Sequence, residues 1–150
     1  MIVKQITLLS TFLTIIITTE VFISFLPNIS LTPLFFALYF TRYSHGLLLI
    51  VGYIILQGII WGVGLYLISM TVGWVIWWLS SKNGKNLTIK SLLFAFVYGW
   101  VFMPLTVIVY GIDPVAYLIA DIPFQINMAI SNVLTIGLLY PPINKALELL

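Results

Sequence analysis

Residues 47–80 read LLLIVGYIILQGIIWGVGLYLISMTVGWVIWWLS, a run without a single charge. As one helix it would be about 51 Å long, against a bilayer hydrocarbon core of roughly 30 Å. The tract is therefore expected to fold back on itself, and Gly62-Val63-Gly64 is where the missing side chains permit a sharp turn. That turn decides the fold, because it sets an even or an odd number of crossings and hence the side on which everything after it lies.

Composition fixes the class in which the tract is read. The chain has 150 residues, 62% hydrophobic and 7% charged, with a mean hydropathy of +1.18, which excludes an ordinary soluble domain. In lipid every backbone polar group must be satisfied internally, so only helices or a closed barrel will serve. The apolar runs are continuous rather than alternating, which points to helices. With no cysteine and a lone His45, disulfides and thiolate or histidine metal centres are not expected. A net charge of +2 is too small to suggest nucleic acid. Lys4 ahead of an apolar run imitates a signal peptide, but the run from Ile6 to Leu26 is long and no small-residue cleavage site follows, so it reads as a retained span.

Hydropathy and breakers then divide the chain, as a single membrane domain over 1–150, into six expected spans. Residues 5–26 form the first, ended by Pro27-Asn28, and residues 31–41 a short second, closed by Thr41 to Gly46. The 47–80 tract supplies the third and fourth, residues 89–110 the fifth and 115–140 the sixth, closed by Pro141-Pro142. Ser81 to Asn86 is the clearest loop, and Gly111-Ile112-Asp113-Pro114 turns the chain. With six spans and the N-terminus inside, all of Lys4, Arg42, Lys82, Lys85, Lys90 and Lys145 fall on the cytoplasmic side, whereas five spans would put the last four outside. The positive-inside rule therefore favours a six-helix all-α bundle in the plasma membrane with both termini cytoplasmic.

Polar groups inside such spans are expensive and usually face a cavity or a partner. Glu20 falls in the outer third of the first span, and Asp121, about 10 Å down the sixth, at a similar level. Two carboxylates at one depth, with no basic residue predicted nearby, call for a wet outward cavity, for protonation, for a cationic ligand between them, or for separate hydrogen bonds to neighbouring helices. Asp121, Gln125, Met128 and Asn132 recur at helical spacing on one face, read as lining a ligand site, with Asn132 too deep for first contact and better suited to helix packing. Asn127 points away from that face. Trp61, Trp77 and Trp78 suit interfacial belts, while Trp74 and Trp100, with Tyr98 and Gln57 at similar mid-depth, offer flat rings and polar atoms to a ligand. Thr7, Thr11, Thr14 and Thr18 make a small-residue stripe on the first span, which either docks a separate membrane protein or packs within the bundle. No HExxH, phosphate-cradling GxxxxGK[ST] or nucleophile-base arrangement is present, so neither an enzyme nor a self-powered pump is expected.

The order of spans, the short second span, and the ending Pro123-Phe124-Gln125-Ile126-Asn127-Met128-Ala129-Ile130-Ser131-Asn132 through Pro141-Pro142 resemble an S-component of the energy-coupling factor (ECF) transporters. In that family the last span often shows P-F-D-x-x-H-A-x-x-N. This chain keeps Pro123, Phe124, Ala129 and Asn132, and has Gln125 and Met128 in place of the acid and the histidine. The resemblance implies a substrate-binding subunit that captures a vitamin or vitamin precursor in an outward cavity. Such a subunit hands its cargo to a membrane scaffold subunit driven by two ATPase subunits. It implies docking through the first span, where Thr7, Thr11, Thr14 and Thr18 replace small alanines. The site residues would be Asp121, Gln125, Trp74, Trp100, Tyr98 and Glu20, with no cofactor and no metal. A similar span layout occurs in MreD, the rod-shape-determining membrane scaffold, which would need no ligand cavity.

Overall fold

The computed structural model describes residues 2–23 and 30–149, and among them every regular element is helical. The expected break at Pro27-Asn28 lies outside the described residues. Helix α1 spans Ile2–Ile23, α2 Thr32–Phe40, α3 Gly46–Trp61, α4 Tyr66–Ser81, α5 Leu87–Tyr110 and α6 Pro114–Leu134. A π-helical turn, Thr135–Leu139, then leads without a break into α7, Tyr140–Glu148. Three stretches, Val3–Ile23, Leu87–Tyr110 and Pro114–Glu148, are long and apolar enough to cross a membrane; α3 and α4 are apolar but shorter. Large apolar side chains such as Phe22, Ile59, Val63, Ile108 and Leu138 face outward, a surface that fits lipid better than water.

The decisive turn lies where the glycines permit it. Gly62 adopts φ 91°, ψ 156°, a backbone conformation that a Cβ would strain, and α3 stops there. The Tyr66 hydroxyl donates to the Gly62 carbonyl at 2.6 Å, which ties the start of α4 to the end of α3. At the opposite end the 82–86 loop contains left-handed Gly84 and Asn86, and Lys90 Nζ stitches it by donating to Ser80 O and Asn83 Oδ1, both at 2.7 Å. Gly111, at φ 65°, caps α5. Asp113 then caps α6 by accepting from the Ala116 N–H at 2.9 Å, with Pro114 in the first turn.

Helix α2 is the centre of the molecule rather than a wall. It packs against α1, α3, α4, the π turn and α7, and all of it except Phe35 is buried. Nine residues rise only about 14 Å, roughly half of a hydrocarbon core, so the helix itself is short for a span. Trp77 is here too, fully buried, donating its indole N–H to the Pro33 carbonyl at 3.1 Å. That overturns its reading as an interfacial belt residue: the large ring is enclosed against α2 and its indole N–H is satisfied inside the bundle.

The chain also passes Pro141-Pro142 without ending its helix. The five-residue π turn shifts the hydrogen-bond register just ahead of the prolines, so they fall in the first turn of α7, where missing N–H groups cost little. The far end of this long helix is held by Arg42, whose guanidinium donates to Asn144 Oδ1 at 2.5 Å and to the Asn144 carbonyl at 2.6 Å.

Candidate functional site

Helix α1 carries Glu20 into the bundle close to its end, and three neighbouring side chains close around the carboxylate. Thr32, from the first turn of α2, donates to Oε1 at 2.7 Å. Tyr53, from the middle of α3, donates to the same oxygen at 2.6 Å. Gln57, one turn further along α3, donates through Nε2 to Oε2 and also to the Tyr53 hydroxyl at 2.9 Å. The spacing of Tyr53 and Gln57 is the helical i, i+4 that places both on one face, and Thr32, Tyr53 and Gln57 are all buried.

Beyond Glu20 lies a cavity of about 290 Å³. Ser30 and Trp61 stand at one end of it, with Trp61 largely exposed. Glu20, Tyr53 and Gln57 line one wall; Trp74, Phe94 and Tyr98 line another; Met128 and Asn132 come from α6. The aromatic wall is a continuous cluster. Trp74 meets Phe94 and Tyr98 with ring centroids 5.5 Å apart, and Phe36 supports it edge-on from behind at 4.4 Å. Trp74 is only 4% exposed, and its indole N–H has no hydrogen-bond partner among the described residues. An orphaned buried donor is uncommon and costs roughly 1–3 kcal/mol unless something satisfies it.

Of the six residues expected to bind substrate, Glu20, Trp74 and Tyr98 line this cavity and Asp121, Gln125 and Trp100 do not. Asp121 accepts from Gln125 Nε2 at 2.7 Å within α6, and the pair packs over Gly99 of α5. A Cβ added at Gly99 would come within 2.6 Å of Gln125 Nε2 and closer still to Asp121, so the glycine leaves the space that these two side-chain ends occupy. Trp100 is on the outer surface, 53% exposed. Asn132 does two things at once: its amide donates to the Ser91 carbonyl at 3.1 Å across the α5–α6 interface, and the same side chain lines the cavity. Asn127 is exposed, on the side of α6 away from Asn132.

Thr32, Tyr53, Phe94 and Met70 were not singled out by sequence reasoning. Only the Tyr53–Gln57 pair carried a usable signal, two hydrogen-bonding side chains one turn apart in an otherwise apolar span. The four threonines of α1 are all exposed, and Thr7, Thr11 and Thr14 turn their hydroxyls back to carbonyls of their own helix at 2.8–2.9 Å. That leaves methyl groups on the outer face of α1.

Compared with known proteins, the chain matches no family model, no curated protein and no solved structure.

Proposed function

We propose that this chain is the substrate-binding subunit of an ECF-type importer, a multi-pass plasma-membrane protein of six spans with both termini in the cytoplasm. It captures a vitamin or vitamin precursor in the cavity beside Glu20 and passes it to a scaffold subunit driven by two ATPases. The observation that carries the reading is the cavity itself, with a hydrogen-bonded acid and an aromatic wall converging on one void. Ligand sites are typically apolar concavities with a few convergent polar groups of this kind, whereas a purely structural scaffold has no use for one. Charge placement supports the orientation. Arg42, Lys82, Lys85, Lys90 and Lys145 belong to connections and helix ends opposite the Gly62 turn, and Ser30 and Trp61 of the cavity lie at the Gly62 end. The exposed threonine face of α1 supports docking of a second membrane protein, because small side chains with satisfied hydroxyls allow close helix approach.

Co-expression with an ECF scaffold and its two ATPases tests this directly. The chain should co-purify with them and retain a small organic molecule detectable by mass spectrometry, and Thr11→Leu should reduce co-purification several-fold while leaving the yield of the isolated chain unchanged. A ligand-free chain that instead co-purifies with cell-wall synthesis proteins would establish the MreD-like scaffold reading.

A further inference from the structure

We infer that the cavity selects a small aromatic ligand bearing one positive charge, its cationic N–H donating to Glu20 Oε2 and its ring lying against the Trp74, Phe94 and Tyr98 wall. This rests on the reading of the cavity as a substrate site and narrows the class of substrate.

The sign of the charge comes from the hydrogen bonding around Glu20. The Tyr53 hydroxyl accepts from Gln57, which leaves its own proton for Glu20, and Thr32 and Gln57 donate to the carboxylate as well. Donors converging from two helices match an ionised, acceptor-only carboxylate. Among the described residues Oε1 has two donors, whereas Oε2 receives only Gln57, which leaves one acceptor position on Oε2 for a ligand. No cation of the protein answers it: the chain's basic residues are Lys4, Arg42, Lys82, Lys85, Lys90 and Lys145, and none of them lines the cavity. An anionic ligand would meet an unscreened like charge. A neutral ligand would displace water from Glu20 and leave its charge without a counter-ion, which is unfavourable in an apolar site. A monocation removes both penalties.

The shape of the ligand comes from the opposite wall. Trp74, Phe94 and Tyr98 present ring surface suited to a flat group and to cation–π contact. A volume of about 290 Å³ is at the small end of ligand sites, so one or two rings with a short arm fill it.

Three probes built on one ring isolate the charge: para-aminomethylpyridine, whose arm is protonated at neutral pH, para-hydroxymethylpyridine, which is neutral, and para-pyridinecarboxylate. They are titrated at millimolar concentration onto the full chain alone in nanodiscs, with tryptophan fluorescence and calorimetry as readouts. The amine should bind about tenfold or more tighter than the alcohol, the value of a charge-assisted hydrogen bond, and the carboxylate weakest. Glu20→Gln should erase the gap between amine and alcohol, and Trp74→Phe should weaken amine and alcohol by a common factor. The inference is overturned if the alcohol or carboxylate binds as well as the amine, if folded Glu20→Gln keeps the preference, or if no probe binds saturably. The wild-type series decides the matter by itself should either variant fail to fold. Because no scaffold or ATPase is present, loss of docking cannot alter this result, and a failed charge preference leaves the co-purification result standing.

Discussion

Glu20 and Asp121 are both acids within long apolar helices, and the structure puts them to different uses. Glu20 is approached by α2 and α3, whose Thr32, Tyr53 and Gln57 all donate to it, and it opens on a cavity. Asp121 has its hydrogen bond within its own helix, to Gln125, and lies over Gly99 in the seam where α5 and α6 pack. The lesson is that position along an apolar helix does not by itself tell which acid lines a cavity. What distinguishes the two is how many other elements send polar groups toward the carboxylate and whether space remains beside it.

The comparison can be broken by substitution, and the largest effect is expected at Glu20. Glu20→Leu orphans the donors of Thr32, Tyr53 and Gln57 at a cost of roughly 1–3 kcal/mol each, partly offset by removal of a buried charge. A net loss of about 3 kcal/mol should appear as a lower thermal unfolding midpoint in detergent. An unchanged midpoint would mean that the three donors are not committed to the carboxylate. Gly99→Val should come next. Its side chain overlaps the ends of Asp121 and Gln125 and displaces the hydrogen-bonded pair from the seam, costing about 1–3 kcal/mol in the same assay. Tolerance of valine would show that the seam is looser than its geometry indicates. The smallest effect is expected for Asp121→Asn, which keeps the shape and leaves a neutral hydrogen bond worth about 0.6 kcal/mol in a bilayer. Binding of the cationic pyridine should stay within about twofold of wild type, far below the tenfold that a lost charge-assisted bond would give. A drop comparable to that of Glu20→Gln would return Asp121 to the binding site and erase the distinction.

Much of the helical layout was legible because breakers act locally. Gly62 and Gly111 have positive φ where the chain was expected to turn, and the 82–86 loop forms where the polar residues cluster. Pro141-Pro142 misled for the same local reason: proline ends a helix only if the preceding register is kept, and the π turn at Thr135–Leu139 changes it. Tryptophans were harder to place. Trp77 is wholly buried and Trp100 half exposed, yet both sit in runs equally apolar on every side. In water a helix's apolar stripe points inward, but beside lipid the inner and outer faces are both apolar and the pattern loses its direction.

By itself, then, the sequence determined an apolar helical chain, the places where it must reverse, and the short list of polar groups that such a chain has to accommodate. Periodicity also placed Asp121, Gln125, Met128 and Asn132 on one face of one helix. Only the tertiary structure decided that this face divides, with Asp121 and Gln125 against Gly99 and Met128 and Asn132 in the cavity, and that Glu20 is joined by Thr32, Tyr53 and Gln57. The physical reason is that helical period fixes angles about one axis, whereas a binding site is made by the relative placement of several axes. Here α2 is buried at the centre of that placement, and Gly99 leaves room in the α5–α6 seam for the Asp121–Gln125 pair.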